Sequence, residues 1–263
     1  MEDKMLHKIL NDAIAMAQKV GEIQMDSFRS PKLMMDTKTS QYDVVTEVDK
    51  ACEGFLVKEI SRKYPEHTII GEETGKHIHE GAEWEWVVDP LDGTTNFIHN
   101  YAPYAVSIAL LKGKEILIGV VYEICTDACY YAWQGGGAYV NGTRLQVSSQ
   151  KIQDALLCLQ FPYNSDAYKP VMKRLIDRFY GNVGSIRACG SAAMALCYVA
   201  EGTLDGYMEQ YIGQWDYMAG SLIVMESGGK VTNYEGAADF TQGNSVIASN
   251  TLIHTDLLEA IRN

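Results

Sequence analysis

The stretch WEWVVDPLDGTTNF, residues 84–97, decides the fold. Its apolar first half predicts a strand that ends at Asp89, because Pro90 has no N–H to give to a continuing ladder. Asp92 and Gly93 then turn the chain sharply, and Thr94, Thr95 and Asn96 can cap a short helix. Two carboxylates, at i and i+3, thus project from the carboxyl end of a strand, where open α/β sheets form their ligand crevices. Two anions that close repel, and one takes up a proton unless a cation bridges them. Carboxylate oxygens are hard ligands and select Mg²⁺, Mn²⁺ or Ca²⁺ over soft metals. In isolation, the same residues read equally well as an ordinary Asp-Gly turn with a capping threonine.

The pattern on either side is mixed α/β. Upstream, Leu6, Ile9, Leu10, Ala13, Ala17 and Val20 recur at three- and four-residue steps and predict an amphipathic helix over 3–27. A polar break follows around residues 37–41, and Thr46 can cap a second helix running to about residue 63. Strands are expected at 68–70, 84–89, 104–111, 116–123 and 128–133, with hairpin turns at the Gly-rich 135–137 and at Asn141-Gly142. Downstream, strands near 155–160, 183–187, 204–208 and 245–249 alternate with helices near 167–179, 191–200, 216–227 and 251–262. No linker divides the chain, so 1–263 reads as one unit, with sub-lobes of roughly 1–150 and 151–263.

Three more segments place acids where they can meet the first pair. IIGEETG at 69–75 puts Glu72 and Glu73 directly after a short strand, and YDVVTEVDK at 42–50 puts Asp49 near a helix start. GQWDYMAGSLIVMESGG at 213–229 sets Asp216 in the first turn of another helix, where a capping role would also favour a negative group.

Composition narrows the function classes. The chain has 263 residues and a formal net charge of −12, with 47% hydrophobic residues, which fits a globular protein. An acidic surface without a basic patch argues against nucleic acid or anionic lipid as partner. It also implies that an anionic substrate needs imported positive charge, most simply metal cations. The N-terminal MEDKMLHKIL lacks the apolar core of a signal peptide, and no segment approaches the ~20 apolar residues of a membrane helix. Six cysteines without a CxxC pair fit a reducing cytoplasm and packing roles. His77 and His79 read as a solvated loop, and the glycines at 135–137 lack the Lys-Ser/Thr of a phosphate-cradling loop.

An acid near the N-terminus, then EE, then DPLDGT, and much later WD, together resemble the signature of the inositol monophosphatase family, within the lithium-sensitive, magnesium-dependent phosphatases. The flanking GEET, DGTTNF, GSAA and WDYMAG look alike too, and the likeness spans essentially the whole chain. The resemblance implies a five-layer α–β–α–β–α sandwich and a homodimer. Carried over by position, it assigns Glu72, Asp89 and the Leu91 carbonyl to one metal. Asp89, Asp92 and Asp216 would hold a second, and Glu72 would help a weaker third. Two or three Mg²⁺ ions, with Mn²⁺ as a substitute, are therefore implied. Thr94, oriented by Asp49, would position the attacking water, with Glu73 behind the ligands. Gly93 and Thr94 would offer backbone N–H groups to the phosphate. Gly190, Ser191, Ala192 and Glu209 match positions that contact the alcohol, with serine at 191 where threonine is frequent.

The expected reaction is hydrolysis of a small-molecule phosphate monoester, myo-inositol monophosphate first, by in-line attack of an activated water without a phosphoenzyme. Fructose bisphosphate, NADP, adenosine 3′,5′-bisphosphate and histidinol phosphate are alternative substrates. A haloacid-dehalogenase-type phosphatase needs its two aspartates at i and i+2, and here the spacing is i+3 with Pro90 between. A regulatory binding protein on the same scaffold is the non-enzymatic alternative. Glu209 is expected to be acceptor-only at neutral pH and so to receive hydroxyl donors of a polyol or ribose.

Overall fold

A computed structural model of the chain describes residues 2–27, 35–37, 44–162, 165–239, 241 and 243–262. The break expected around residues 37–41 lies, beyond Thr37, outside the described residues. In chain order the first elements are α1 (Glu2–Ser27), β1 (Met35–Thr37), β2 (Val44–Thr46), α2 (Glu47–Lys63), β3 (Thr68–Gly71), β4 (Gly75–His77), β5 (Trp84–Asp92) and α3 (Thr94–Ile98). A meander follows: β6 (Ala105–Lys112), β7 (Glu115–Glu123), β8 (Ala128–Trp133), β9 (Gly137–Val140) and β10 (Thr143–Arg144). The second half holds β11 (Leu156–Leu159), α4 (Ser165–Phe179), β12 (Ser185–Arg187), α5 (Ala192–Ala200) and β13 (Gly206–Gln210). It ends with α6 (Gln214–Glu226), β14 (Lys230–Thr232), β15 (Ser245–Ser249) and α7 (His254–Arg262).

These elements stack in five alternating layers. An eight-stranded sheet has the order β10-β9-β8-β7-β6-β5-β3-β4, and a five-stranded sheet the order β12-β11-β13-β15-β14. α1 and α2 cover the outer face of the large sheet, α5 and α6 fill the space between the sheets, and α4 and α7 cover the small one. Ile9, Leu10, Ala13, Ala17 and Val20 of α1 are buried against the large sheet, the stripe that the three- and four-residue spacing predicts. The central core mixes residues from both halves of the chain, from Val87 and Val121 to Leu196, Leu222 and Val246.

Local chemistry starts the elements that matter. Thr46 Oγ1 accepts the N–H of Val48 at 3.1 Å and of Asp49 at 3.4 Å, and Asp49 returns the bond by accepting the Thr46 N–H at 2.8 Å. This reciprocal cap fixes where α2 begins. The Asn141-Gly142 turn has both residues at positive φ, 47° and 81°, as a tight hairpin requires.

The deciding stretch differs from expectation in two respects. β5 does not stop at Asp89 but runs to Asp92 through a bulge: Asp89 pairs with Ser107 and Asp92 with Ala105, so one extra residue sits on β5. Pro90 falls inside that bulge, the one place in a sheet interior where a missing N–H breaks no ladder bond. The helix that follows is capped by Gly93 in the left-handed conformation (φ 90°), without a side-chain cap from a threonine or Asn96. The cysteines also divide: Cys52, Cys129, Cys158 and Cys197 are buried, Cys189 partly so, and Cys125 is exposed.

Candidate active site

The strand register brings the acids together. β3 pairs parallel with β5, Gly71 opposite Val88, so the next residues along, Glu72 and Asp89, emerge side by side. Asp216 arrives from the first turn of α6, where its Oδ2 accepts the Gly213 N–H at 2.8 Å. Glu72, Asp89 and Asp216 each offer a carboxylate oxygen, and the three oxygens lie within 4.8 Å of one another. All three line a cavity of about 400 Å³.

Electrostatics suits this cluster to a cation. Burial holds the Asp89 carboxyl well above the usual carboxylate range, and the charges of Glu72, Asp216 and Asp92 push it further. Asp216 is partly open to the cavity, yet loss of surrounding water and then Glu72 and Asp92 raise it strongly as well. Without a cation, such a group must keep protons that a divalent ion would displace. Three convergent carboxylates are the donor set that a hard cation takes, so the residues present fit the metal that the sequence implies.

Asp92 lines the same cavity but stands apart from the cluster. Its Oδ2 accepts the Ser191 hydroxyl and the Ala193 N–H (2.9 Å), and its Oδ1 accepts the Ala192 N–H at 3.3 Å. The N-terminus of α5 thus holds it. Burial pushes its carboxyl up to about 6, against the lowering effect of those bonds. Ser191 is buried behind Asp92, does not line the cavity, and caps α5 by accepting the Met194 N–H at 3.2 Å.

The loop after β5 is tied from several sides. Asp89 Oδ1 accepts the Leu91 N–H at 2.8 Å. The Thr94 hydroxyl has two acceptors at 3.0 Å, Asp49 Oδ1 and the Leu91 carbonyl. Asp49 itself is fully buried. Asn96 donates to the carbonyls of Pro103 (2.8 Å) and Cys189 (2.9 Å), joining α3 to the segment before Gly190. Leu91, Gly93, Thr94, Gly190, Ala192 and Glu209 all line the cavity.

Burial pushes the Glu209 carboxyl up to about 8, with the Tyr207 hydroxyl bond opposing and the Asp92 charge adding to the rise. This pulls toward the protonated form a group that the sequence reads as acceptor-only, because β13 removes most of the water that would solvate the anion. Glu73 does not line the cavity; its backbone N–H is held by Glu53. His77 lies on β4 beside Thr74 (2.6 Å), outside the acid cluster.

Several lining residues escaped the sequence reading. Phe161, Pro162, Tyr211, Ile212 and Trp215 also line the cavity and supply much of its apolar surface. Phe161 and Pro162 follow β11 at the carboxyl end of a parallel pair, a position that could have flagged them. Tyr211, at φ 63°, carries no such sequence signal.

Comparison with known proteins gives the family. A sequence profile described as the inositol monophosphatase family matches residues 5–263. "Nus factor SuhB" of Escherichia coli (strain K12) is 35% identical over 260 residues, covering 98% of this chain and 97% of that protein. The extragenic suppressor protein suhB of Bartonella henselae superposes with a TM-score of 0.92 at 32% identity, covering 97% of this chain and 99% of the other. The inositol monophosphatase of Anabaena (Nostoc) sp. PCC 7120 superposes with a TM-score of 0.87 at 32% identity, covering 98% and 96%. The chain belongs to the inositol monophosphatase family, a family of metal-dependent phosphatases.

Proposed function

We propose that the protein hydrolyses the phosphate monoester of a small polyol, myo-inositol monophosphate first, with Mg²⁺ held by Glu72, Asp89 and Asp216. The observation that carries this reading is the convergence of those three carboxylates within 4.8 Å in the cavity lining. The Leu91 carbonyl and Asp92 are the further donors. When bound, the ions lower the pKa of water, offset phosphate charge and stabilise the leaving oxygen.

The chain's own residues do the rest. Thr94 gives its hydroxyl proton to Asp49 and turns its lone pairs to the attacking water. The Gly93 and Thr94 amides at the start of α3 receive phosphate oxygens. Gly190, Ala192 and Glu209 meet the alcohol's hydroxyls, while Ser191 acts through Asp92. Lithium inhibition, a homodimer and a cytoplasmic location belong to the same reading and rest on family membership. No helix among the described residues is long and apolar enough to cross a membrane.

The test is phosphate release from inositol, fructose, histidinol and nucleotide phosphates, with and without chelator. The expected result is metal-dependent turnover with the highest kcat/KM on inositol monophosphate. Full activity in chelator overturns the metal role, and preference for another ester overturns the substrate. A regulatory binding protein on this scaffold is the second reading, favoured by the name "Nus factor SuhB" of relatives at 35% identity. Absence of turnover on every ester, with the fold and ion binding intact, would favour it.

A further inference from the structure

Helix α2 presents two buried carboxylates one turn apart, Asp49 and Glu53, and each serves a different wall of the acid cluster. Asp49 holds Thr94, in the segment after β5. Glu53 turns to the reversal between β3 and β4. There its Oε2 accepts the Glu73 N–H at 2.8 Å and its Oε1 the Thr74 N–H at 2.6 Å. Gly71 and Gly75 pair at the mouth of this reversal, leaving Glu72, Glu73 and Thr74 as a three-residue loop whose amides belong to no ladder. Gly71 completes the seat, since a Cβ there would stand 2.5 Å from the Glu53 carboxyl group. No larger residue permits so close an approach of helix side chain to strand backbone.

Glu72 is the residue between Gly71 and the two clamped amides. Where its carboxylate points is set by how the chain leaves β3, and Glu53 fixes that departure. We propose that Glu53 is a positioning residue for the divalent-ion site, clamping the 71–74 reversal so that Glu72 meets Asp89 and Asp216. The inference rests on the reading that these three acids bind an ion. It requires no contact between Glu53 and ion or substrate. Partners that orient metal ligands in this way typically carry about 10- to 100-fold in metal affinity.

The experiment is a calorimetric titration of chelator-stripped protein with Mn²⁺, paired with circular dichroism for folding. Glu53→Gln and Glu53→Ala should weaken Mn²⁺ binding by about 10- to 100-fold, and activity lost at low ion should recover as the ion is raised. Asp205→Asn is the control for mere stability. Asp205 is another buried carboxylate, accepting the Leu156 N–H at 2.6 Å away from the cavity, so its variant should lower Tm and leave Mn²⁺ affinity unchanged. Folded Glu53 variants that bind Mn²⁺ as wild type does overturn the inference, as does an equal loss of affinity in Asp205→Asn. Should the Glu53 variants fail to fold, Gly71→Ala decides, because its methyl displaces the same carboxylate: weakened binding supports the clamp and unchanged binding overturns it. Wild-type protein that binds no Mn²⁺ overturns the ion-site reading itself, and this inference with it.

Discussion

The Thr94 hydroxyl lies 3.0 Å from the Oδ1 of Asp49, a residue 45 positions earlier on a different element. Asp49 is at the same time half of the cap that starts α2, accepting the Thr46 N–H and hydroxyl through its Oδ2. One carboxylate thus fixes the beginning of a helix and aims a hydroxyl at the cavity. Its orientation is set before any substrate arrives, which is how a proton acceptor is held in place without a moving part.

That relationship predicts the phenotype of Thr94→Val. The variant keeps the shape of threonine and removes only the hydroxyl, leaving the α2 cap intact. If Thr94 relays a proton, kcat should fall by about 10²- to 10⁴-fold, with Mn²⁺ affinity by calorimetry within two-fold of wild type. A kcat within two-fold of wild type would remove Thr94 from the proton path.

Asp89→Asn should separate stability from function. Asp89 is buried among Glu72, Asp216 and Asp92, and that burial and those charges hold its carboxyl well above its ordinary range, so without a cation folding at pH 7 costs the uptake of a proton there. Asparagine needs no proton, so the variant's Tm in chelator should equal or exceed wild type at pH 7. Wild type should gain about 2.7 kcal/mol from Mg²⁺ at one hundred times its Kd, and the variant should lose most of that gain along with activity. Differential scanning calorimetry with and without Mg²⁺ checks both halves; an undiminished Mg²⁺ stabilisation in Asp89→Asn would contradict the site.

Glu209 gives a pH dependence with a definite sign. Burial pushes its carboxyl in the folded protein up to about 8, whereas in the unfolded chain it returns to the ordinary glutamate value of 4.5. Between those values the native state binds one more proton, so stability falls as pH rises, by up to about 1.4 kcal/mol per pH unit. Asp92, pushed up to about 6, adds in the same direction over the lower part of that window. Glu209→Gln should flatten the decline between pH 5 and 8 in ion-free protein, read as Tm against pH. A slope identical to wild type would mean that Glu209 is ionised in the native state at neutral pH.

Much of the acid cluster was legible because each member sits beside a local punctuation mark: Glu72 after a short strand, Asp89 before a proline, Asp216 in a helix's first turn. The capped start of α2 and the Asn-Gly hairpin were legible for the same reason, as their chemistry is complete within four residues. Pro90 misled, since a missing N–H ends a strand in sequence logic but sits harmlessly in a bulge. Glu53 reads from sequence as one more charge on a helix, and only the packing of α2 against β3 shows it buried. Asp92 meets α5 about 100 residues later, and the Glu209 carboxyl is pushed up by the burial that tertiary packing builds. Neither fact has a trace in local periodicity.

Ser191→Ala tests whether Asp92 is restrained by α5 in the ion-free protein. The serine hydroxyl both accepts the Met194 N–H and donates to Asp92, so its loss removes a helix cap and one of the bonds that lower the Asp92 carboxyl. The cap alone should cost about 1 kcal/mol, seen in denaturant unfolding of chelator-treated protein at pH 7. The lost donor raises the Asp92 carboxyl further above its ordinary range, so half-maximal activity on the acid side should move to higher pH. The Ala192 and Ala193 amides still hold the carboxylate, which limits the shift and keeps the variant active. A variant that loses the cap energy but keeps the wild-type acid limb would show that Asp92 has already left α5 when the ion is bound, and that its hold on Ser191 belongs only to the ion-free protein.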